Sequence, residues 1–268
     1  MLSMTILNAI TLGLVQGLAE FLPVSSSGHL VLFKDILGLS EVPLLFDVVL
    51  HLATLVAVCV VFRKRIGGIF LSLARWIGKK NGEADADNLG LVIPALVATF
   101  VTGIMGLGIS KLLPTESVRF VSIELLITAA VLAASAFIKP GAKEYRNLGL
   151  REGLATGFAQ GLGVFSGISR SGFTITAGLA TGMKREAAGE FSFLLSIPAI
   201  LGAFLVEMKD AGDLAAKVEL LPMVVSALVA FISGVLALTL LMRIVKKGKL
   251  AWFAAYLVPV GLAGLFLL

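Results

Sequence analysis

Residues 13–29 read GLVQGLAEFLPVSSSGH, and residues 157–173 read GFAQGLGVFSGISRSGF. Gly13, Gln16, Gly17, Leu18, Phe21, Ser25, Ser27 and Gly28 align without a gap on Gly157, Gln160, Gly161, Leu162, Phe165, Ser169, Ser171 and Gly172. The chain therefore reads as a duplication, each copy interrupting an apolar helix with a small, hydroxyl-rich loop. The differences carry as much as the matches. Glu20 and His29 stand only in the first copy, and Arg170 only in the second. An acid and an imidazole from one half and a fixed cation from the other would make one composite site for a phosphate ester.

Composition decides the solvent. The hydrophobic fraction of 58% and mean hydropathy of +1.01 lie well above soluble domains, whose apolar content is about 45–50%. Crossing a hydrocarbon core of about 30 Å takes about 20 apolar residues, and six runs approach or exceed that length: 43–62, 90–110, 118–138, 186–206, 219–242 and 251–268. The expectation is a single integral membrane domain over 1–268, all-α and polytopic. Cys59 is the one cysteine, so no intramolecular disulfide forms. With no Lys or Arg before Lys34 and no small-residue cleavage motif, the N-terminal run does not read as a signal peptide.

The net charge of +5 is not a nucleic-acid signature, because the basic residues sort by loop. Arg63, Lys64, Arg65, Arg75, Lys79 and Lys80 follow the first run, and Lys139, Lys143, Arg146 and Arg151 follow the third. Lys184 and Arg185 precede the fourth; Arg243, Lys246, Lys247 and Lys249 separate the fifth from the sixth. The positive-inside rule puts all four groups in the cytoplasm. The assignment alternates without conflict when residues 1–40 and the C-terminus lie outside.

Residues 1–40 and 150–183 each hold a helical apolar stretch, a break (Pro23 to Gly28; Ser166 to Gly172) and a second stretch, 29–38 or 173–182. Those second stretches are only about 15 Å long at about 1.5 Å per residue, too short to span. Broken backbone at membrane depth is tolerated where protein buries it or where it lines a wet cavity. Both segments therefore read as re-entrant hairpins, one entering from each side. The first repeat is 1–140 with its hairpin at 1–40, and the second is 150–268 with its hairpin at 150–183. A hairpin plus three spans has odd parity, so the second copy inserts upside down, an inverted-topology repeat of the kind found in transporters. The plainer alternative is that residues 2–22 simply span, although Gln16 and Glu20 make a poor lipid-facing helix.

Gln16 and Glu20 lie four apart, hence on one helix face, and an ionisable group at membrane depth usually marks a pathway or a site. Ser25, Ser26 and Ser27 with Gly28 exceed what a single N-cap needs, and an exposed helix N-terminus also receives anions. His29 reads as a nucleophile, a general acid or a helix-start hydrogen bonder. Arg170, within Ser169-Arg170-Ser171-Gly172 and followed by Thr174, can fork onto two phosphate oxygens. Its own hairpin has no carboxylate after Glu152, so its partner comes from the other repeat or from a substrate. Asp47 and His51, also four apart, either support the site or form a local helix-face pair; Glu124, Glu190 and Glu207 receive no role. No GxxxxGK[ST], HExxH or Cys/His metal spacing occurs, which disfavours nucleotide-driven pumping and structural zinc.

At these residues the chain resembles a known family. Gln16 to His29, QGLAEFLPVSSSGH, is similar to the first signature of the undecaprenyl-pyrophosphate phosphatases, the bacitracin-resistance family: an acid or glutamine, a glutamate four later, a serine-rich loop and a histidine. Gly167-Ile-Ser169-Arg170-Ser171-Gly-Phe-Thr174 resembles the second, and the likeness extends to chain length and the EFSFLLSIP run at 190–198. Ser166 stands where that family normally has proline, and Gln16 leaves Glu20 as the motif's one carboxylate.

The resemblance implies hydrolysis of a C55 polyprenyl pyrophosphate to the monophosphate and inorganic phosphate. The reaction would occur in the cytoplasmic membrane with the site opening to its outer face, recycling the lipid carrier of cell-wall polymers. It implies a divalent cation, Mg2+ or Ca2+, with Glu20 as a ligand. Glu20, Ser26, His29 and Arg170 are the expected catalytic residues; Gln16, Ser25, Ser27, Ser169, Ser171 and Thr174 are the expected substrate contacts. Attack by Ser26, by His29 or by water stays open. The expected partners are the lipid substrate and membrane lipids, with no nucleic acid; a homodimer stays open. A lipid flippase or anion transporter on the same scaffold is the alternative function.

Overall fold

The computed structural model describes residues 4–39, 42, 44–109, 117–139, 141–207 and 219–268. Lys111, Lys209 and Lys217 fall outside the described residues. Twelve α-helices are seen there: α1 (Ile6–Phe21), α2 (Ser26–Ile36), α3 (Leu44–Val61), α4 (Arg63–Ile77), α5 (Ala86–Gly90), α6 (Val92–Ile109), α7 (Val118–Ala134), α8 (Leu150–Gly161), α9 (Arg170–Ala180), α10 (Arg185–Glu207), α11 (Leu220–Lys246) and α12 (Trp252–Phe266). Among the described residues, a bridge between Lys143 and Met183 is the one extended pairing. This is an all-α, multi-pass membrane protein.

The six apolar runs are α3, α6, α7, α10, α11 and α12. Helices within Glu83–Ile109, Val118–Phe137, Arg185–Val206 and Leu220–Lys246 are each long and apolar enough to cross a bilayer alone. The chain turns by 73° between α3 and α4. The basic residues after Val61, expected in a loop, form α4, which carries Arg63, Lys64 and Arg65 beside exposed Phe70, Leu71, Trp76 and Ile77. Such a two-faced basic helix suits a membrane surface. The short second arms are α2 and α9, 11 residues each.

Small residues let the first arm of each hairpin bury itself. α1 lies along α11, where a Cβ at Gly17 would meet Ser233 Oγ at 2.0 Å and the Ala230 carbonyl oxygen at 2.5 Å. α8 lies along α6 in the same way, where a Cβ at Gly157 would meet Ala98 Cα at 2.7 Å. Without a hydrophobic drive between helices in lipid, such close backbone approach is what holds them. The buried core gathers large rings between the halves, with Phe21 edge-on to Phe193 at 5.8 Å.

The four basic groups converge at one end of the bundle. Arg65 pairs with Glu190, and Lys184 with Glu144. Arg146 pairs with Asp87 at 2.9 Å and Lys246 with Glu186 at 2.6 Å. Tyr145 donates to Glu190 Oε2 at 2.6 Å beneath the Arg65 guanidinium, 4.3 Å from its ring centre. Burial, reinforced by the Glu190 carboxylate, pushes the Tyr145 phenol well above its ordinary range.

Two alanine substitutions separate packing from propensity. Gly157→Ala forces a methyl into the α6 backbone and is expected to cost about 1–3 kcal/mol. Gly67→Ala on α4, where a Cβ meets nothing within 4 Å, should stabilise by about 0.5–1 kcal/mol. Thermal unfolding of the purified protein checks both; equal shifts would contradict the close α6–α8 contact.

Candidate active site

The two breaks repeat one local device. Pro23 cannot continue α1, and Ser25 then caps α2 by accepting from the Gly28 amide at 3.3 Å. In the second break Ser169 caps α9 by accepting from the Gly172 amide at 3.2 Å. Ser25 differs in holding φ at +68°, a left-handed conformation that costs a non-glycine residue about 1–3 kcal/mol and persists where its surroundings enforce it.

Those surroundings are the other break. The Ser25 hydroxyl donates to the Ser166 carbonyl, and Ser171 Oγ donates to the Phe21 carbonyl at 3.1 Å. α7 fixes the second break from behind: Thr128 Oγ1 donates to the Gly167 carbonyl at 2.9 Å and accepts from the Ser169 amide at 3.1 Å. One turn earlier, Glu124 Oε2 accepts from the Gly167 amide at 2.7 Å.

Glu20, at the end of α1, is the centre. It is buried and accepts from the Arg170 guanidinium through Oε1. Its Oε2 accepts from Ser26 Oγ at 2.6 Å and from Gln16 Nε2 at 3.1 Å. His51 Nδ1 donates to the Asp47 carbonyl at 2.8 Å, since a carbonyl only accepts, which leaves Nε2 facing Glu20 Oε2 at 3.7 Å. Asp47 itself binds Lys34 Nζ through both carboxylate oxygens, at 2.8 and 2.6 Å. Two half-helix N-termini, the Arg170 guanidinium and the His51 ring thus surround one carboxylate, an arrangement that can receive an anion.

These groups line a cavity of about 750 Å3. Glu20, Ser25, Ser26, Ser27, Ser169 and Arg170 all reach it, as do Lys34, Asp47, His51 and Gln160. Gln16 stands behind Glu20. Three further expected site residues, the contacts Ser171 and Thr174 and the catalytic candidate His29, also lie off the cavity wall. Ser171 ties the two breaks together, and Thr174 bonds the Arg170 carbonyl at 2.8 Å and the Ser192 hydroxyl. His29 is turned from the cavity: Nδ1 donates to the Ser25 carbonyl at 2.8 Å, and Nε2 meets Tyr256 Oη of α12 at 2.9 Å. The imidazole on the cavity wall is His51, whose spacing from Asp47 was the available signal. Gln160 was marked by its alignment with Gln16 across the repeat, whereas Lys34 carried no signal beyond its position on an expected helix.

Fold and site together define a multi-pass membrane protein whose cavity is lined by a buried acid–arginine pair. The profile of the bacitracin resistance protein BacA family matches residues 9–263. An undecaprenyl-diphosphatase of Treponema denticola is 49% identical, over 97% of this chain and 96% of its own. Undecaprenyl-diphosphatases of Desulforapulum autotrophicum and Borreliella burgdorferi are 40% and 37% identical, over 97% and 94% of this chain. The chain belongs to the BacA family.

The two histidines should part company in stability. His29→Ala empties a buried, doubly bonded ring site stacked on Tyr256, with an expected cost of about 2–4 kcal/mol. His51→Ala, at the open cavity wall, should stay within about 1 kcal/mol of wild type. Thermal unfolding tests this; the reverse order would mean that His29 is the ring facing the cavity.

Proposed function

We propose that the chain hydrolyses undecaprenyl pyrophosphate to undecaprenyl phosphate and inorganic phosphate. The carrying observation is the bond between Arg170 of one break and Glu20 of the other, with Ser26 Oγ 2.6 Å from the same carboxylate. A nucleophile within hydrogen-bond reach of its base is the arrangement that covalent catalysis requires. When the pyrophosphate enters, Arg170 turns its fork from Glu20 to the phosphate oxygens. Ser26 Oγ attacks the terminal phosphorus and passes its proton to Glu20; the bridging P–O bond breaks and the lipid monophosphate leaves. Water then attacks the phosphoserine phosphorus and gives a proton to His51, the P–Oγ bond breaks, Ser26 Oγ takes back the proton held by Glu20, and inorganic phosphate leaves. Arg170 and the α2 and α9 N-termini stabilise the charge that develops on the oxygens.

The donors present suit a hard divalent cation. Glu20 supplies a carboxylate, Ser26 a hydroxyl and the substrate its phosphate oxygens, and Mg2+ is usually held by one or two carboxylates plus substrate phosphates. Among the described residues no three His, Cys, Asp or Glu side chains are placed to hold a metal ion together, so the substrate would complete the coordination. Mg2+ or Ca2+ bound at Glu20 would neutralise charge on the leaving phosphate.

Two further readings belong with this function. The repeat is inverted: Gly264 packs on Ser122 and Gly261 on Leu126, which supports an antiparallel run of the equivalent helices α7 and α12. The cavity opens to the outer face of the cytoplasmic membrane. Supporting this, the basic groups gather at the N-terminal ends of α6 and α10, whereas Leu107 and Val206, near their C-terminal ends, line the cavity. The product would replenish a lipid carrier for cell-wall polymers, and the family's name ties that supply to bacitracin resistance.

Phosphate release in detergent micelles, where no gradient exists, tests the activity and excludes a pure flippase. Arg170→Lys should lose at least about 100-fold in kcat/KM, because an ammonium cannot fork onto two oxygens. Glu20→Gln and Ser26→Ala should both lose several orders of magnitude in kcat. Wild-type rates in Ser26→Ala would make water the nucleophile; wild-type rates in all three would overturn the enzyme reading.

A further inference from the structure

The glutamine that recurs in both halves of the chain does different work in each. In α1, Gln16 lies one turn before Glu20 and donates to it through Nε2. In the second half the residue four later is Val164, so the Gln160 amide has no carboxylate to serve. Its Nε2 turns instead to neighbouring helices. It donates to Thr102 Oγ1 of α6 at 3.2 Å and more weakly to the Leu195 carbonyl of α10 at 3.5 Å.

Those two partners fix which way the amide points. The Thr102 hydroxyl proton goes to the Gly157 carbonyl at 3.1 Å, so towards Gln160 this hydroxyl only accepts, as the Leu195 carbonyl does. Nε2 therefore faces both, and Oε1 is left to the cavity that Gln160 lines. Gln160 is only 3% exposed, and among the described residues its Oε1 has no hydrogen-bond partner. A buried acceptor is costly unless something donates to it. Gln16 Oε1 shares that condition, but Gln16 stands behind Glu20 rather than on the cavity wall.

Position and chemistry narrow the donor. Gln160 lies one turn before Gly163, where a Cβ would meet Arg170 Cβ at 3.0 Å. The stem of the arginine thus rests roughly 5 Å along the helix from the amide. A fully ionised phosphate has only acceptors and gives Oε1 nothing, whereas water has two protons to offer. From the other half of the chain, His51 lines the same cavity. Its Nδ1 proton is taken by the Asp47 carbonyl, so in the neutral ring Nε2 is likewise an acceptor. Two acceptors, one from each half, direct both protons of a water and leave its lone pair free for phosphorus. Some GTP hydrolases orient their attacking water with a glutamine amide.

We propose that Gln160 is the positioning residue for the hydrolytic water, its Oε1 accepting from one water proton while His51 Nε2 takes the other. This rests on the phosphoserine route given above. In that step the water oxygen bonds to phosphorus, its proton on the imidazole side passes to His51 Nε2, and the P–Oγ bond breaks. Ser26 Oγ recovers the proton held by Glu20, and inorganic phosphate leaves carrying the proton that Gln160 held in place. Transfer of the phosphoryl group to Ser26 consumes no water, so Gln160 acts on the second step alone.

The test is pre-steady-state turnover of undecaprenyl pyrophosphate by the purified full-length protein in micelles. Lipid monophosphate, inorganic phosphate and phosphoserine at Ser26 are followed separately, the last by mass spectrometry after acid quench. Gln160→Met keeps the bulk and removes the acceptor. It should release lipid monophosphate in a burst, accumulate phosphoserine and then turn over about 100-fold more slowly than wild type. Its kcat and KM should fall together with kcat/KM near wild type, because kcat/KM covers only the steps through release of the lipid product. A packing defect lowers kcat/KM and traps nothing. Thr102→Val leaves Gln160 in place but frees its amide to flip, and should show the same signature more weakly. Absence of burst and phosphoserine in both variants, with Ser26→Ala inactive, would overturn the assignment, as would wild-type kcat in Gln160→Met. Wild-type rates in Ser26→Ala would defeat the phosphoserine route and this inference with it. A wild-type protein that releases no phosphate would instead defeat the enzymatic reading itself.

Discussion

Everything at the centre of this protein turns on a carboxylate and a guanidinium that neutralise each other across two halves of the chain. Neither Glu20 nor Arg170 is tolerable alone at membrane depth, where an unpaired charge is costly. Paired, they hold two broken helices head to head. In the proposed mechanism a pyrophosphate offers Arg170 more oxygens than Glu20 does and so frees the carboxylate that Ser26 needs.

The surrounding structure makes that pairing possible. Glycines at α1 and α8 bring each hairpin's first arm against a long helix, so that backbone rather than side chain sets the spacing. The Ser25 conformation is enforced by its bond to the Ser166 carbonyl. Glu124 and Thr128 close the backbone groups of the loop before Arg170. That loop is therefore stiffened from α7. Removing a buried partner from such a network costs more than the bond is worth, since the remaining group stays buried and unpaired.

Much of this was readable before any coordinates. Apolar run length marked α3, α6, α7, α10, α11 and α12, four of which are long and apolar enough to span alone, and Pro23 and the Ser/Gly clusters marked both breaks, because helix length and backbone interruption are local properties. The Glu20–Arg170 pairing was constrained by elimination, as no acid followed Glu152 in Arg170's own hairpin. Facing was not readable. His29 adjoins the serine loop in sequence, yet its ring folds back onto the Ser25 carbonyl and across to Tyr256. His51, thirty-one residues from Glu20, is the ring that faces it. In a helix of three turns, rotation about the axis is set by packing against α12 and α7, which no local pattern encodes. α4 was hidden for the opposite reason: its basic residues masked the apolar face of Phe70, Leu71, Trp76 and Ile77.

The handover of Arg170 from Glu20 to phosphate is best tested by binding rather than turnover. The measurement is the affinity of a non-hydrolysable prenyl methylenediphosphonate for wild type and for Glu20→Gln, with divalent ions removed by chelator. Removing the competing carboxylate charge should tighten binding by about tenfold, or about 1.4 kcal/mol, and adding Arg170→Gln should abolish the gain. Unchanged or weaker binding by Glu20→Gln alone would contradict the account, because Arg170 would then owe nothing to Glu20 when it takes up the anion.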